Sequence, residues 1–171
     1  MGRVLCLDIG TRRTGVALSD ETRLIAQGLP TIEHRDDARL TEQVAALVAA
    51  HDVDLLVVGL PLSEDGRPST RSEQVRQLAN RLRNRLKLPV EFQDERFSTS
   101  RALDVLEEAE GKSAGRSRPA SKGHGNRRKQ AADRIAAVLI LEDWLAESER
   151  HATTSGSPLP GQGEGQGEGR E

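Results

Sequence analysis

Val4-Leu5-Cys6-Leu7, continued by Asp8-Ile9-Gly10-Thr11-Arg12-Arg13-Thr14-Gly15 and then Val16-Ala17-Leu18-Ser19, is the stretch that decides the fold. Its first four residues are apolar on both faces and few in number, the pattern of a central strand covered on each side. Gly10 to Gly15 reads as a tight polar turn, and Val16 to Ser19 as the returning half of a hairpin. A third, weaker strand is expected between Leu24 and Thr31. Beyond it, Leu40, Val44, Leu47 and Val48 recur at helical spacing, and Leu55-Leu56-Val57-Val58 forms a second doubly buried strand ended by Gly59-Leu60-Pro61. Thr70-x-x-Glu73 reads as a capping box before a helix with the apolar stripe Val75, Leu78, Leu82 and Leu86. Val90-Glu91-Phe92-Gln93 is a fifth strand, Ser98 caps a helix carrying Ala102, Val105, Leu106 and Ala109, and a last helix is expected from about Gln130 to Ala146. Strands separated by helices predict an α/β fold, a five-stranded mixed sheet flanked by helices on both faces.

Composition bounds the rest. The chain has 171 residues, enough for a single domain, expected over 1–150. Residues 151–171 are Gly-rich, with Leu159 as their one large aliphatic side chain, and are expected to be a disordered tail. Their three acids and one base account for the deficit of 25 Lys+Arg against 27 Asp+Glu, leaving a neutral body. Inside that body, 112–129 holds seven Lys/Arg and no acid, so the remainder carries −7. Gly, Ser and Pro within 112–129 predict a mobile basic loop there. Near-neutrality is therefore a cancellation and does not exclude a nucleic-acid partner. No apolar run approaches the ~18 residues of a membrane span, and no secretory leader is expected. The lone Cys6 excludes an internal disulfide framework and a cysteine-cluster zinc site, and predicts a cytoplasmic protein.

Three carboxylates fall where an α/β sheet builds its ligand crevice. Asp8 follows the first buried strand, Glu95 follows the fifth, and Asp133 precedes Ala136, Ala137, Ile140 and Leu141, on or beside the buried face of the last helix. Each has an ordinary use when taken alone. Asp8 could hold turn amides, Asp94 and Glu95 could be solvated, and Asp133 could complement a helix dipole. Together, three acids on one crevice suit a shared cation, and oxygen donors without His or Cys favour Mg2+ or Mn2+.

Four blocks in this order resemble the YqgF/RuvX family of ribonuclease H-like nucleases. They are Leu7-Asp8-Ile9-Gly10-x-x-Arg13-x-Gly15-Val16-Ala17, Val58-Gly59-Leu60-Pro61 with Asp65-Gly66, Asp94-Glu95-Arg96-Phe97-Ser98-Thr99, and Asp133-x-x-Ala136-Ala137-x-x-Ile140-Leu141. The resemblance spans Arg3 to Leu145. It implies a ribonuclease H-like sheet, with Asp8, Glu95 and Asp133 as catalytic, metal-binding acids. It also implies two substrate classes: the 5′ end of the small-subunit ribosomal RNA precursor and the four-way DNA junction. Thr14 and the length of the basic loop depart from the usual family pattern.

On that footing the expected activity is endonucleolytic phosphodiester hydrolysis by two Mg2+ or Mn2+ ions about 3.5–4 Å apart. Asp8 would bridge the ions while Glu95 and Asp133 each complete one shell. Expected nucleic-acid contacts are Arg12, Arg13, Arg96, Ser98 and Thr99. The basic segment would act as a phosphate clamp through Lys112, Arg116, Arg118, Lys122, Arg127, Arg128 and Lys129. Phe92, Phe97 and Trp144 are expected in the core, which makes base stacking a minor mode. The partner would be structured RNA or branched DNA, with no membrane; symmetric junction resolution would require a twofold homodimer. Two alternatives are an actin-like kinase half, suggested by the Asp-x-Gly turn, and a non-catalytic nucleic-acid-binding accessory module.

Overall fold

The computed structural model describes residues 2–63, 66–95, 98–111 and 124–154, which form one five-stranded mixed sheet flanked by helices. Strands β1 (Arg3–Ile9), β2 (Arg13–Ser19) and β3 (Ala26–Glu33) make an antiparallel meander. Helix α1 (Asp37–His51) leads to β4 (Val53–Leu60), and α2 (Thr70–Leu86) leads to β5 (Val90–Asp94). Helices α3 (Ser98–Gly111) and α4 (His124–Thr154) follow. The order across the sheet is β3-β2-β1-β4-β5, with β4 parallel to β1 and β5 parallel to β4. The continuous apolar runs of β1 and β4 are thereby explained: they are interior strands with helices on both faces.

Alternation along β1 divides the core. Leu5, Leu7 and Ile9 pack with Leu40 and Val44 of α1 and with Val75, Leu78 and Leu82 of α2. Val4 and Cys6 join Ala137, Ile140, Leu141 and Trp144 of α4 on the opposite face. Side chains two residues apart share a face, so Asp8 follows Val4 and Cys6 onto the α4 side. Helix α4 crosses the sheet and meets all five strands. Burying Leu141 and Ile140 there stabilises the fold by roughly 1.5–3 kcal/mol each. Trp144 Nε1 donates to Glu91 Oε2 at 2.9 Å, satisfying its polar edge while the ring stays in the core. Phe92 packs against the other core cluster, with the Arg76 guanidinium 5.1 Å from its ring centre.

Several boundaries differ from the sequence reading. Helix α2 is capped by Ser69, whose side chain accepts from Ser72 N while Ser72 Oγ accepts from Ser69 N. The capping box is thus Ser69/Ser72, one residue ahead of Thr70-x-x-Glu73. Strand β3 lies about two residues later than expected. Val105, expected on the buried stripe of its helix, is 46% exposed on α3, which packs chiefly on α4. Helix α4 begins at His124, so residues 124–129 are helical rather than part of a loop, and it runs past 150 to Thr154. Asn126 Nδ2 and Gln130 Nε2 donate to Glu33 Oε1, at 3.5 and 2.8 Å, and tie this first stretch to β3. No helix among the described residues is long and apolar enough to cross a membrane.

Candidate active site

Asp8 and Glu95 project from the C-terminal ends of two strands separated only by β4. Their carboxyl groups share a hydrogen bond. Glu95 lies against Gly59 of that intervening strand: a Cβ at Gly59 would stand 2.5 Å from Glu95 Oε2 and 2.9 Å from Ile140 Cδ1. Glycine there leaves room for a carboxylate over the sheet. The Glu95 amide donates to the Leu60 carbonyl at 3.3 Å, fixing where the chain leaves β5.

Asp133 reaches the same face from above. Gly15 pairs with Asp8 in the sheet register, and a Cβ on Gly15 would fall on the Asp133 carbonyl oxygen. The α4 backbone therefore sits directly on β2 beside Asp8. Because α4 begins at His124, Asp133 stands more than two turns inside it, beyond the reach of the N-terminal dipole. The dipole-complement reading fails for that reason. Instead Asp133 Oδ2 accepts from Arg13 Nε at 2.6 Å, in a partly buried ion pair. Arg13, an expected nucleic-acid contact, meets this carboxylate instead.

Burial is the main electrostatic fact of the pair. It pushes the Asp8 carboxyl up to about 6, opposed by the hydrogen bond from Glu95 and raised further by the Asp133 charge. Glu95 is pushed up to about 8, first by burial and then by the charge and hydrogen bond of Asp8. The two carboxyls interact directly, so they titrate as a unit, and burial favours keeping a proton between them. Arg71, in the first turn of α2, pulls both downward. Its Nη2 donates to the Ile9 carbonyl at 2.6 Å, one residue beyond Asp8.

Arg71 escaped the sequence reading, although it left a trace. A cation in the first turn of a helix opposes the dipole, and this helix follows β4 into the crevice. His34 escaped too. It is buried, its Nε2 lies 3.0 Å from Thr14 Oγ1, and its amide donates to the Arg12 carbonyl at 3.1 Å. It thus ties the end of β3 to the β1–β2 turn. Thr14, which departs from the family's usual aliphatic residue, is the partner that makes this link.

Of the other expected contacts, Arg12 is exposed on the β1–β2 turn. Ser98 and Thr99 open α3. Arg127, Arg128 and Lys129 are exposed on the first turns of α4, where Arg128 Nη2 lies 3.4 Å from Glu107 Oε1. Arg96, Lys112, Arg116, Arg118 and Lys122 lie outside the described residues, as do Asp65 and Phe97.

As the chain stands, no three His, Cys or carboxylate side chains among the described residues converge closely enough to grip one ion, since Asp133 is drawn to Arg13. The donor set still fits a divalent cation. It is all hard oxygen, and two of its members are crowded and buried, with Arg71 only partly offsetting the cost of ionising both.

The family model described as RuvX, Holliday junction resolvase, matches residues 2–147. Two similar proteins both carry the name "Putative pre-16S rRNA nuclease". The one from Synechococcus sp. is 40% identical over 143 residues, covering 84% of this chain and 88% of that protein. The one from Chromohalobacter salexigens is 42% identical over 145 residues, covering 84% and 89%. Among solved structures, Thermus thermophilus RuvC in complex with a Holliday junction substrate has TM-score 0.50 and 14% identity, covering 87% of this chain and 97% of that one. The fowlpox virus resolvase in complex with substrate Holliday junction DNA has TM-score 0.52 and 10% identity, covering 85% and 98%. At such identities the two structures show the shared fold alone.

Proposed function

Because this chain belongs to the RuvX family, we propose that it is an endonuclease hydrolysing phosphodiester bonds of structured nucleic acid. Its candidate substrates are precursor 16S ribosomal RNA, named in its relatives, and the four-way Holliday junction, named in its family. The observation that carries the reading is the Asp8–Glu95 carboxyl pair, which meets across the end of β4, with Asp133 beside it on the same face. A crevice that crowds acids against burial suits a cation-assisted reaction at an anionic ester.

Asp8, Glu95 and Asp133 would hold Mg2+ or Mn2+, with two ions proposed. Bound there, such ions supply charge neutralisation at the attacking and leaving oxygens of the phosphate. The chain's own residues do the rest. Asp8 is anchored in the sheet between β2 and β4, so it fixes where the reaction occurs. Arg71 holds the Ile9 carbonyl and adds positive charge behind the pair. Arg13 balances Asp133 until that charge is met otherwise, and its guanidinium is then available to a phosphate. Arg12, Arg127 and Lys129 are proposed as further phosphate contacts. Symmetric resolution of a junction would need two copies related by a twofold axis. Cys6, buried and pushed well above its ordinary range by burial, fits a cytoplasmic setting and takes no part.

The test is a cleavage assay with Mg2+ or Mn2+ on precursor ribosomal RNA, single-stranded RNA and a four-way junction in parallel. Asp8→Asn, Glu95→Gln and Asp133→Asn should each abolish cutting while binding persists. Wild-type cutting that survives Asp8→Asn would overturn the mechanism. Binding without cutting in the wild-type chain would leave an accessory module.

A further inference from the structure

The acids do not stand alone at the edge of the sheet. A hollow of about 320 Å3, lined by Gly10, Thr11, Arg12, Arg13 and Asp133, opens beside them. A second, of about 750 Å3, is lined by Arg12, Arg13, His34, Arg35, Arg39 and Asn126, among others. The two share Arg12 and Arg13. They form one trough leading from Asp133 over the end of β3 to the start of α1.

The trough is strongly cationic. Four guanidinium groups line its wider part against Glu33, whose carboxylate already accepts from Gln130 and Asn126. Arg13 is balanced by Asp133, and Arg39 lies 3.2 Å from Glu42 in an exposed pair that a phosphate can displace at little cost. Arg12 and Arg35 are exposed, and among the described residues neither lies within ion-pair distance of a carboxylate. Like charges gathered in a concavity repel one another unless an anion enters.

The trough is also built on a rigid frame. The His34 amide binds the Arg12 carbonyl and its ring binds Thr14, so β3 and the β1–β2 turn move together. Asp36 Oδ1 accepts from Arg39 N at 2.8 Å and caps α1, holding Arg35 and Arg39 on either side of the cap. His34 Nδ1 is buried at the floor with no hydrogen-bond partner. The same ring is held below its ordinary range, mainly by burial, which disfavours its charged form.

We propose that this trough is a second nucleic-acid-binding site, carrying the phosphate backbone of the strand as it leaves the acids on the β3–α1 side. The inference rests on the nuclease reading for the position of the scissile bond, but its ligand chemistry stands on the trough alone. Charges spread along a groove suit a polyanion rather than one small anion. The residues named above include no Phe, Tyr or Trp, and the His34 ring is buried, so no base is read by stacking and binding there is independent of sequence.

The test uses the full chain, in EDTA to prevent cutting, with a labelled four-way DNA junction and a structured precursor RNA as probes. Dissociation constants are measured across a series of KCl concentrations. Arg35→Ala with Arg39→Ala should lower the slope of log Kd against log[KCl] by about 1.4–1.8, the loss expected for two phosphate contacts. Arg35→Lys with Arg39→Lys should keep the slope. Arg85→Ala with Lys87→Asn removes the same charge from the far end of α2 and should change it little. The trough is overturned if the first pair leaves the slope unaltered, if the α2 pair lowers it equally, or if the wild-type chain binds neither probe. Binding that falls as expected in a chain that cuts nothing would support the trough and refute the nuclease reading; cutting with an unaltered slope would do the reverse.

Discussion

Asp8→Asn should destroy cutting and yet make the metal-free protein more stable, with a defined pH dependence. In the folded chain burial raises Asp8 from its ordinary 3.8 to about 6. Between those values the folded state binds more protons than the unfolded one, so stability falls as pH rises through this window. Above about pH 7 the full cost of ionising Asp8 in place is present. At ~1.36 kcal/mol for each tenfold change in acidity it comes to about 3 kcal/mol. Asparagine fills the same space, donates to Glu95 and carries no charge, so it removes this cost and lowers Glu95 from its raised value as well. In EDTA at pH 8 the variant should unfold about 3 kcal/mol later than wild type, roughly 6–12 °C in Tm for a domain of this size. The gain should halve by about pH 5 and vanish below about pH 4. The lone Trp144, buried on α4, reports the unfolding by fluorescence. Mg2+ should then raise the Tm of wild type at pH 8 and leave Asp8→Asn nearly unmoved. A variant no more stable than wild type at pH 8 would refute the account of a pair held above its ordinary range by burial.

Arg13→Ala removes the counter-charge from Asp133, and should tighten Mn2+ binding about two- to fivefold in a titration while weakening nucleic-acid binding; looser Mn2+ binding would refute the competition. Arg71→Ala should lower kcat by about tenfold, the scale of a charged hydrogen bond, and move the acid limb of its pH profile upward, since both carboxyls lose a nearby cation. Arg71→Lys should restore the limb, and an unmoved limb in Arg71→Ala would exclude an electrostatic role. Gly15→Ala drives a methyl group into the Asp133 carbonyl and should cost about 1–3 kcal/mol in urea unfolding, with cutting lost through displacement of Asp133. Wild-type stability in Gly15→Ala would mean that α4 is not seated where it is described.

What could be read from the chain depended on how local each signal was. The strands β1 and β4 declare themselves as short apolar runs, because burial on both faces needs nothing beyond four or five consecutive side chains. Asp8 is legible for the same reason, near the end of such a run, whereas Glu95 is marked only by its place directly after the short edge strand β5. The start of α4 was misread because Gly125, Asn126 and three consecutive cations are poor material for a helix N-terminus. What holds it there is tertiary, through Glu33 on β3 and Glu107 on α3. Ser69 is hard to see as a cap from sequence because Ser72 is a weaker match to the familiar pattern than Glu73, though Ser72 makes both bonds of the box. The Arg13–Asp133 pair spans 120 positions and leaves no trace in either neighbourhood. His34 and Arg71 likewise acquire meaning only once the β1–β2 turn, β3 and α2 share a wall.

The placement of the acids along the chain has a consequence for when the protein becomes competent. The meander β1-β2-β3 forms from neighbouring segments, so Asp8 is in position as soon as the first third of the polypeptide exists. Glu95 must await β4 and β5, and Asp133 must await α4, which closes the sheet. A growing chain that ends before α4 therefore carries Asp8 and Glu95 but lacks Asp133, and has no complete site. Truncation at residue 123 should leave a product that cuts nothing. On the proposed assignment of these acids, activity would be withheld until nearly the whole domain has been made, and a partly synthesised chain would be inert toward nucleic acid.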